Sequence, residues 1–449
     1  MRARVVVVGG GVMGVSIAWQ LARRLDPHTD PVVLLEKKEL AAGSSGKSGA
    51  ILRQFYGDRE VAAMARDSLR VFKGFEAATG RDLAFLACGV LTLGSRAKPG
   101  EAELVERNVA MMRGLGIEVE LLDAAALRAL VPGIRASDAT IAAWEPGAGA
   151  VDPVRTVHAF AALAREHGAI TRVGVRAEEL VVEGGRVRGV RTDDGLIECD
   201  QVVVAAGPWT RPLLARAGVE LPLRVVRPEQ HFLALPNGSS TASETSVLVT
   251  SGGPDAAWPD PTSTGRGSRT LATVGLSAKD ELFARFGNEG NALPAAPHPV
   301  LLDLEHGFYT RCDLLTQRTR VGHMDYASDE EVADPDAVDD VVSDDFKRWA
   351  RAKLSGRLPS YAERPDAGSL NGMYTLTPDA QAVIGPVEGV AGVIVASGFS
   401  GHGFKLSPSI GEGVAQMVCG EAVSAFDVGF FAPERFASGR ARTSGAFGM

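Results

Sequence analysis

The sequence predicts a mixed α/β protein in which a parallel sheet with flanking helices is joined to a second domain. Continuous, β-branched apolar runs at residues 5–8, 32–35, 201–205 and 392–396 are typical of strands that are buried on both faces. The first two runs enclose a helical pattern and so form one βαβ unit. A chain of 449 residues also exceeds what a single hydrophobic core usually supports.

Composition and charge argue against several classes of protein. The net charge of −8 argues against nucleic acid as a partner, because phosphate binding needs a basic face. No apolar run approaches the ~20 residues of a membrane span. The first strand begins near Arg4, so we expect no removable signal segment before it. Four scattered cysteines without a Cys-x-x-Cys pair suit a reducing compartment, so we expect a cytoplasmic protein without a metal site.

The turn after the first strand carries a glycine motif. Gly9, Gly11 and Gly14 match the pattern G-x-G-x-x-G between a buried strand and an amphipathic helix. They allow a tight turn, close approach of a pyrophosphate, and close helix–strand contact, while the helix N-terminus attracts phosphate. Glu36 ends the second strand about 20 residues further on, where a carboxylate holds a ribose hydroxyl. The motif therefore predicts a dinucleotide site.

The motif alone does not distinguish NAD from FAD. Two further buried strands run into glycine, at residues 202–207 and 393–403. A cofactor as long as FAD needs such contributions along its length, and this favours FAD.

The remaining elements follow in chain order. A stripe of apolar residues predicts a helix over 60–79 that Gly80 ends. Asp152 and Pro153 are typical of an N-cap and first helical position, which predicts a helix to about Glu166. A turn is expected at 183–185.

The second half of the chain is less regular. Residues 223–235 and 307–326 predict strands of a different, mixed region, and a helix is expected from about Pro408. Residues 236–299 are rich in Gly, Ser, Pro, Asp and Thr, which predicts a mobile excursion. Residues 432–449 are predicted to form a small polar tail.

Several runs resemble the D-amino acid oxidase family of flavoproteins, and within it the sarcosine oxidase and dimethylglycine dehydrogenase branch. The resemblance covers most of the chain. It is carried by residues 9–14, 44–53 (SSGKSGAILR), 205–209 (AAGPW), 373–379 (MYTLTPD) and 398–405 (GFSGHGFK). The last two runs are the most specific.

The resemblance implies a Rossmann-like FAD-binding domain and a substrate domain built on a mixed, largely antiparallel sheet. It implies the following segments: FAD-binding 1–86, 144–222 and 366–431; substrate domain 87–143 and 223–365, which contains 236–299; tail 432–449. It also implies hydride transfer from a carbon next to nitrogen to flavin N5, followed by hydrolysis of the imine.

The family pattern places candidate catalytic residues on this chain. Arg53 matches the arginine that holds the substrate carboxylate, and a guanidinium suits that partner. Lys405 matches a lysine near the carboxylate and the pyrimidine side of the flavin. The alternatives are a surface arginine and an exposed lysine. Tyr374 could close the carboxylate site or be a core tyrosine. His402 is expected to contact cofactor or backbone rather than to act as a base.

The remaining implied cofactor contacts form a longer set. They are Gly9, Gly11, Val12, Met13, Gly14, Glu36, Lys37, Ser44, Ser45, Gly46, Lys47, Ser48, Ala50, Ile51, Ala177, Ala206, Gly207, Trp209, Gly398, Ser400, Gly401, His402, Gly403, Phe404 and Lys405.

Two departures from the family pattern matter. Gly372 stands where relatives with covalent flavin have cysteine, so we expect noncovalent FAD. Arg320 stands where oxidases of the branch place a lysine over the flavin to promote reaction with O2. These oxidases have a histidine a few residues later, and that position holds Met324 here or, with a one-residue shift, His323. This leaves the choice between O2 and an acceptor protein open.

The sequence thus favours FAD-dependent oxidation of a small amine or amino acid. A NAD-dependent dehydrogenase and a non-catalytic or assembly flavoprotein subunit remain as alternatives. Arg53 and Lys405 argue against the inert subunit, because it needs no carboxylate clamp.

Overall fold

The computed structural model describes residues 1–236, 298–326, 329–439 and 441. The helices in these ranges are α1 (Val12–Ala22), α2 (Arg59–Thr79), α3 (Glu101–Gly114), α4 (Ala124–Leu130), α5 (Pro153–Glu166), α6 (Thr210–Ala215), α7 (Asp344–Arg357), α8 (Gly403–Val418) and α9 (Val428–Phe431). No helix among the described residues is long and apolar enough to cross a membrane. Nearly all of the predicted excursion, residues 237–297, lies outside the described ranges.

The strands in chain order are β1 (Arg2–Val8), β2 (Val32–Glu36), β3 (Ile51–Leu52), β4 (Val90–Ser95), β5 (Glu120–Asp123), β6 (Thr140–Glu145), β7 (Gly149–Ala150), β8 (Ile170–Val173), β9 (Ala177–Glu183), β10 (Arg186–Thr192), β11 (Gly195–Val204), β12 (Arg224–Val226), β13 (Glu229–Ala234), β14 (Val300–Asp303), β15 (Phe308–Asp313), β16 (Arg318–His323), β17 (Asp366–Asn371), β18 (Tyr374–Leu376), β19 (Val383–Pro386) and β20 (Val393–Ser397).

The first large sheet has the order β19-β20-β11-β1-β2-β8, and β10 and β9 extend it from β11. Strand β1 is parallel to both β11 and β2, and β11 is parallel to β20. Residues 5–7 of β1 are fully buried. Helices α1, α5 and α8 contribute to the core beside this sheet. The predicted parallel sheet is confirmed.

The second large sheet has the order β17-β13-β16-β15-β14-β4-β6-β5. All its pairs are antiparallel except β14 with β4. The predicted mixed, largely antiparallel sheet is therefore confirmed. Strand β17 pairs with β13, so this sheet continues past residue 365, where the expected segment boundary lies.

Local sequence signals predicted the end of α2 and the start of α5 correctly, but not the start of α8. Gly80 ends α2 in the left-handed conformation, with φ of 69°. The carboxylate of Asp152 accepts a hydrogen bond of 2.7 Å from the Arg155 amide at the start of α5. Helix α8, however, begins at Gly403 rather than near Pro408. Proline cannot donate to the Phe404 carbonyl four residues earlier, and the Ser407 hydroxyl donates to that carbonyl instead, at 2.8 Å.

The prediction of a loose tail from residue 432 is wrong for its first part. Pro433 and Arg435 are buried. The Arg435 guanidinium makes two hydrogen bonds to the Asp379 carboxylate, at 2.8 and 3.0 Å, and also donates to the carbonyls of Phe431 and Gln381. A buried ion pair with its remaining donors satisfied holds this segment against the body of the protein.

Candidate active site

A cavity of about 590 Å³ lies where β1, β2, β11 and β20 end. Its wall comes from separated parts of the chain, namely residues 8–13, 36–48, 176–178, 205–216, 333–338, 373–375 and 396–404. Parallel strands open such a crevice at their carboxyl ends, and a ligand pocket typically measures ~300–1,000 Å³. The cavity is therefore placed and sized for an extended nucleotide.

The glycine turn at one end of the cavity requires glycine. A Cβ on Gly14 would lie 1.8 Å from the Gly9 carbonyl oxygen, so α1 could not approach β1. Gly9 has φ of 117°, a conformation that other residues rarely adopt. The turn thus brings the positive end of α1 to the cavity wall.

Glu36 lies beside this turn. Its carboxylate accepts hydrogen bonds of 2.8 Å from the amides of Gly10 and Lys38, which fix it at the end of β2. The Trp209 indole nitrogen, also in the cavity wall, is buried without a hydrogen-bond partner among the described residues. The Lys37 ammonium lies 3.6 Å from the centre of the Trp209 ring. A carboxylate, a helix N-terminus and an unsatisfied donor fit the sugar, phosphate and base of a dinucleotide.

Most of the predicted cofactor contacts line the cavity. They are Gly9, Gly11, Val12, Met13, Glu36, Lys37, Ser44, Ser45, Lys47, Ser48, Ala177, Ala206, Gly207, Trp209, Gly398, Ser400, Gly401, Gly403 and Phe404. Six others are not among the residues that line it: Gly14, Gly46, Ala50, Ile51, His402 and Lys405. Gly46 is needed for backbone contact, because a Cβ there would lie 2.5 Å from the Ala41 carbonyl oxygen.

Arg53 and Lys405 lie in one buried cluster next to the cavity wall. Arg53 is 1% exposed and Lys405 is 7% exposed, which rules out the surface alternatives for both. The Arg53 guanidinium donates to the Phe55 carbonyl, lies 3.5 Å from His402 Nδ1, and stacks over the Tyr56 ring at 4.2 Å.

Electrostatics in this cluster follow from burial and like charge. Burial and the nearby Arg53 charge hold the pKa of Lys405 well below that of a free lysine, while the Glu145 carboxylate opposes them. Burial, Lys405 and Arg53 likewise hold the pKa of His402 well below its usual value. A buried cationic site of this kind gains stability when an anion enters.

Glu145 and Tyr56 complete the cluster, and neither was predicted. Burial raises the pKa of Glu145 to about 7, against hydrogen bonds from residues 54 and 55 and the charge of Arg53. Burial also raises the pKa of Tyr56 to about 12. The only available signal was an acidic residue ending the apolar strand TIAAWE.

Tyr374 also lines the cavity. Its ring meets that of Tyr326 edge to face at 5.0 Å, and its hydroxyl hydrogen-bonds with Tyr326 and Tyr309. Burial raises its pKa. The side chain is thus both satisfied in the core and in contact with the cavity, so the two alternatives for Tyr374 do not exclude each other.

Arg320 and His323 are separated by the alternation of strand β16. The Arg320 guanidinium donates to the Lys47 carbonyl at 2.7 Å and to the Gln230 side chain, beside the 44–48 loop of the cavity. His323 lies on the opposite face, edge to face with Phe346 and Trp349 of the α7 segment. His323 does not line the cavity and lies one residue away from it, since its ring meets that of Tyr326, which contacts Tyr374, edge to face at 4.7 Å. Met324 packs near Tyr309 instead.

Comparison with known proteins agrees with this geometry. A sequence model described as FAD dependent oxidoreductase matches residues 4–266 and 282–417. The chain is 26% identical over 93% of its length to 4-methylaminobutanoate oxidase (formaldehyde-forming) of Paenarthrobacter nicotinovorans and covers 44% of that protein. It is 25% identical to human mitochondrial dimethylglycine dehydrogenase, with 92% of this chain and 42% of that protein covered. The chain thus spans less than half the length of these relatives.

Human peroxisomal sarcosine oxidase is matched along its whole length, at 24% identity over 96% of both chains. Among solved structures, L-proline dehydrogenase from P. horikoshii superposes with a TM-score of 0.78 at 22% identity, covering 98% of this chain and 99% of that one. Glycine oxidase from Geobacillus kaustophilus gives 0.73 at 21%, covering 97% and 99%. These two likenesses concern the fold. With the family model matching most of its residues, the chain belongs to the FAD-dependent oxidoreductase family, as the resemblance of its sequence runs predicted.

Proposed function

We propose that the protein oxidises the C–N bond of a small amine that carries a carboxylate, such as an amino acid or N-methyl amino acid. The observation that carries this proposal is the pair of buried cations, Arg53 and Lys405, in one cluster beside the cavity. Buried like charges repel unless an anion lies between them. The similar proteins are named for 4-methylaminobutanoate, dimethylglycine and sarcosine, which all join a methylated amine to a carboxylate.

The residues have distinct roles in this proposal. Glu36, the glycine turn and Trp209 hold FAD along the cavity. Arg53 and Lys405 bind and orient the carboxylate, and the positive charge of Lys405 would stabilise negative charge that develops on FAD. Tyr374 closes the cavity wall. FAD held by these residues would supply the hydride acceptor for oxidation of the carbon next to nitrogen, and water would hydrolyse the resulting imine.

An anaerobic screen of amines and N-methyl amino acids tests the proposal. We expect the absorption of bound flavin to bleach with carboxylate-bearing amines. A flavoprotein that no amine reduces would support the alternative of a non-catalytic subunit. The alternative of a NAD-dependent dehydrogenase requires a colourless protein, and family membership argues against it.

The mode of flavin attachment gives one expected result. Position 372, next to the cavity residue Met373, is glycine and has no thiol to form a tether. Acid precipitation of the yellow protein should therefore release FAD into the supernatant. Flavin that stays in the pellet would refute noncovalent binding.

The route of the electrons gives a second expected result. Arg320 keeps a positive charge near the 44–48 loop, but its planar head is larger than an ammonium and is fixed by Lys47 and Gln230. We propose that it slows the approach of O2 while permitting some reaction. An artificial acceptor should reoxidise the reduced protein faster than O2 does.

Stopped-flow reoxidation after anaerobic reduction by substrate measures both rates. Arg320→Lys should speed the reaction with O2, whereas Arg318→Lys, two residues earlier on the same strand, should not. An unchanged rate in Arg320→Lys, or wild-type protein that reacts as fast with O2 as with the dye, would contradict this role.

A further inference from the structure

Glu145 ends strand β6 in an environment built to accept hydrogen bonds. It is 1% exposed. Its carboxylate accepts from the Gln54 amide at 2.7 Å, from the Gln54 side-chain nitrogen at 3.2 Å and from the Phe55 amide at 3.3 Å. All three partners are donors, so the ionised carboxylate is the form that satisfies them.

These donors belong to the residues that directly follow Arg53. The short pairing of β3 with β7, in which Ile51 faces Ala150, brings the same two parts of the chain together. Glu145 therefore fixes the backbone corner from which the Arg53 side chain projects.

Glu145 also acts on the charge of the cluster. Its carboxylate interacts with Arg53 and counteracts the depression of the Lys405 pKa. A carboxylate bound beside Lys405 favours its charged form, so the occupied cluster holds two cations and this one carboxylate, together with His402 and Tyr56. Burial keeps both of these neutral at ordinary pH, because it depresses the pKa of His402 and raises that of Tyr56 to about 12.

We infer that Glu145 is a positioning residue that sets the binding cluster at a single surplus positive charge, so that the site selects a substrate with one carboxylate over one with two. This inference rests on the proposed function. A monocarboxylate brings the cluster of Arg53, Lys405 and Glu145 to neutrality. A dicarboxylate leaves a buried negative charge without a partner, which is costly in an environment of low dielectric constant.

Two ligands of nearly equal shape isolate the effect of charge. Malonate and its monoamide, malonamate, differ by one carboxylate, and at about pH 8 both carboxylates of malonate are ionised. Calorimetric titration of the flavin-loaded protein gives both dissociation constants without turnover. Wild-type protein should bind malonamate more tightly than malonate.

Glu145→Gln should shift this preference toward malonate by at least about tenfold, because the cluster then carries two surplus charges and one charged contact changes affinity by roughly that factor. The ratio of the two constants cancels any general loss from disturbance of residues 54 and 55. Glu120→Gln, an exposed position on the neighbouring strand β5, should leave the ratio unchanged. Glu145→Asp, which keeps the charge, should also stay close to wild type.

The outcomes separate this inference from the proposed function. Equal weakening of both ligands in Glu145→Gln would reduce Glu145 to a structural role and overturn the inference alone. Wild-type protein that prefers malonate would overturn it without any variant. Wild-type protein that binds neither ligand would overturn the carboxylate clamp itself, and the inference with it.

Discussion

Lys405→Met and Arg53→Met should each weaken the binding of acid substrates by roughly ten- to a hundredfold, while matched neutral amines are affected far less. Loss of a charged hydrogen-bond partner costs about 1.5–3 kcal/mol, which sets this range. Lys405→Met is the cleaner variant, because Arg53 also contacts Phe55 and His402. Steady-state kinetics and the degree of flavin reduction at equilibrium measure the effect.

The control is Lys353→Met on α7, far along the chain from the cluster and partly packed on Trp349. It should change neither class of substrate. Equal losses for acids and neutral amines in Lys405→Met would refute the clamp.

The pH dependence of substrate binding adds a second check. The pKa of Lys405 is depressed in the free site, so acid binding should be tightest below that pKa and weaken as pH rises through it. Lys405→Met should lack this dependence.

Gly14→Ala should weaken flavin binding by roughly five- to a hundredfold, the equivalent of about 1–3 kcal/mol of overpacking. Its Cβ would lie 1.8 Å from the Gly9 carbonyl oxygen, so α1 must move away from the turn that faces the cofactor. Fluorescence of released FAD during dialysis gives the affinity.

Gly74→Ala is the matched control for this substitution. Gly74 lies inside α2, where an added Cβ would meet no atom within 4 Å apart from the neighbouring backbone of its own helix. It should keep wild-type affinity and gain helix stability. Full flavin retention in Gly14→Ala would show that the turn tolerates displacement and that the close approach is not required.

Sequence signals with a local physical cause predicted the fold well. The Asp152 cap, the Gly80 stop and the buried parallel strands depend on neighbours in the chain or on burial of a whole run. The start of α8 was misplaced because a side-chain contact within the helix, from the Ser407 hydroxyl to the Phe404 carbonyl, offsets the effect of proline. The burial of Arg435 depends on Asp379, a partner 56 residues away that no local pattern reveals.

Only part of the candidate site was predicted from the sequence. Arg53 and Lys405 were placed by their motifs, and the structure brings them together. Glu145 was not predicted, because its role depends on the contact between strand β6 and the segment that follows Arg53. Phe55 of that segment lies 90 residues before Glu145 in the chain. His323 was selected by alignment along the chain, and a shift of one residue on a strand turns a side chain to the other face.

The distribution of the cavity wall along the chain has a consequence for biosynthesis. Strand β1 pairs with β11, β11 pairs with β20, and the wall is completed by residues 396–404. The wall of the cavity can therefore be completed only after residue 404 has left the ribosome. A ligand that binds only the native state stabilises that state by mass action. Flavin supply during synthesis should thus control how much of the newly made chain reaches and keeps its folded form.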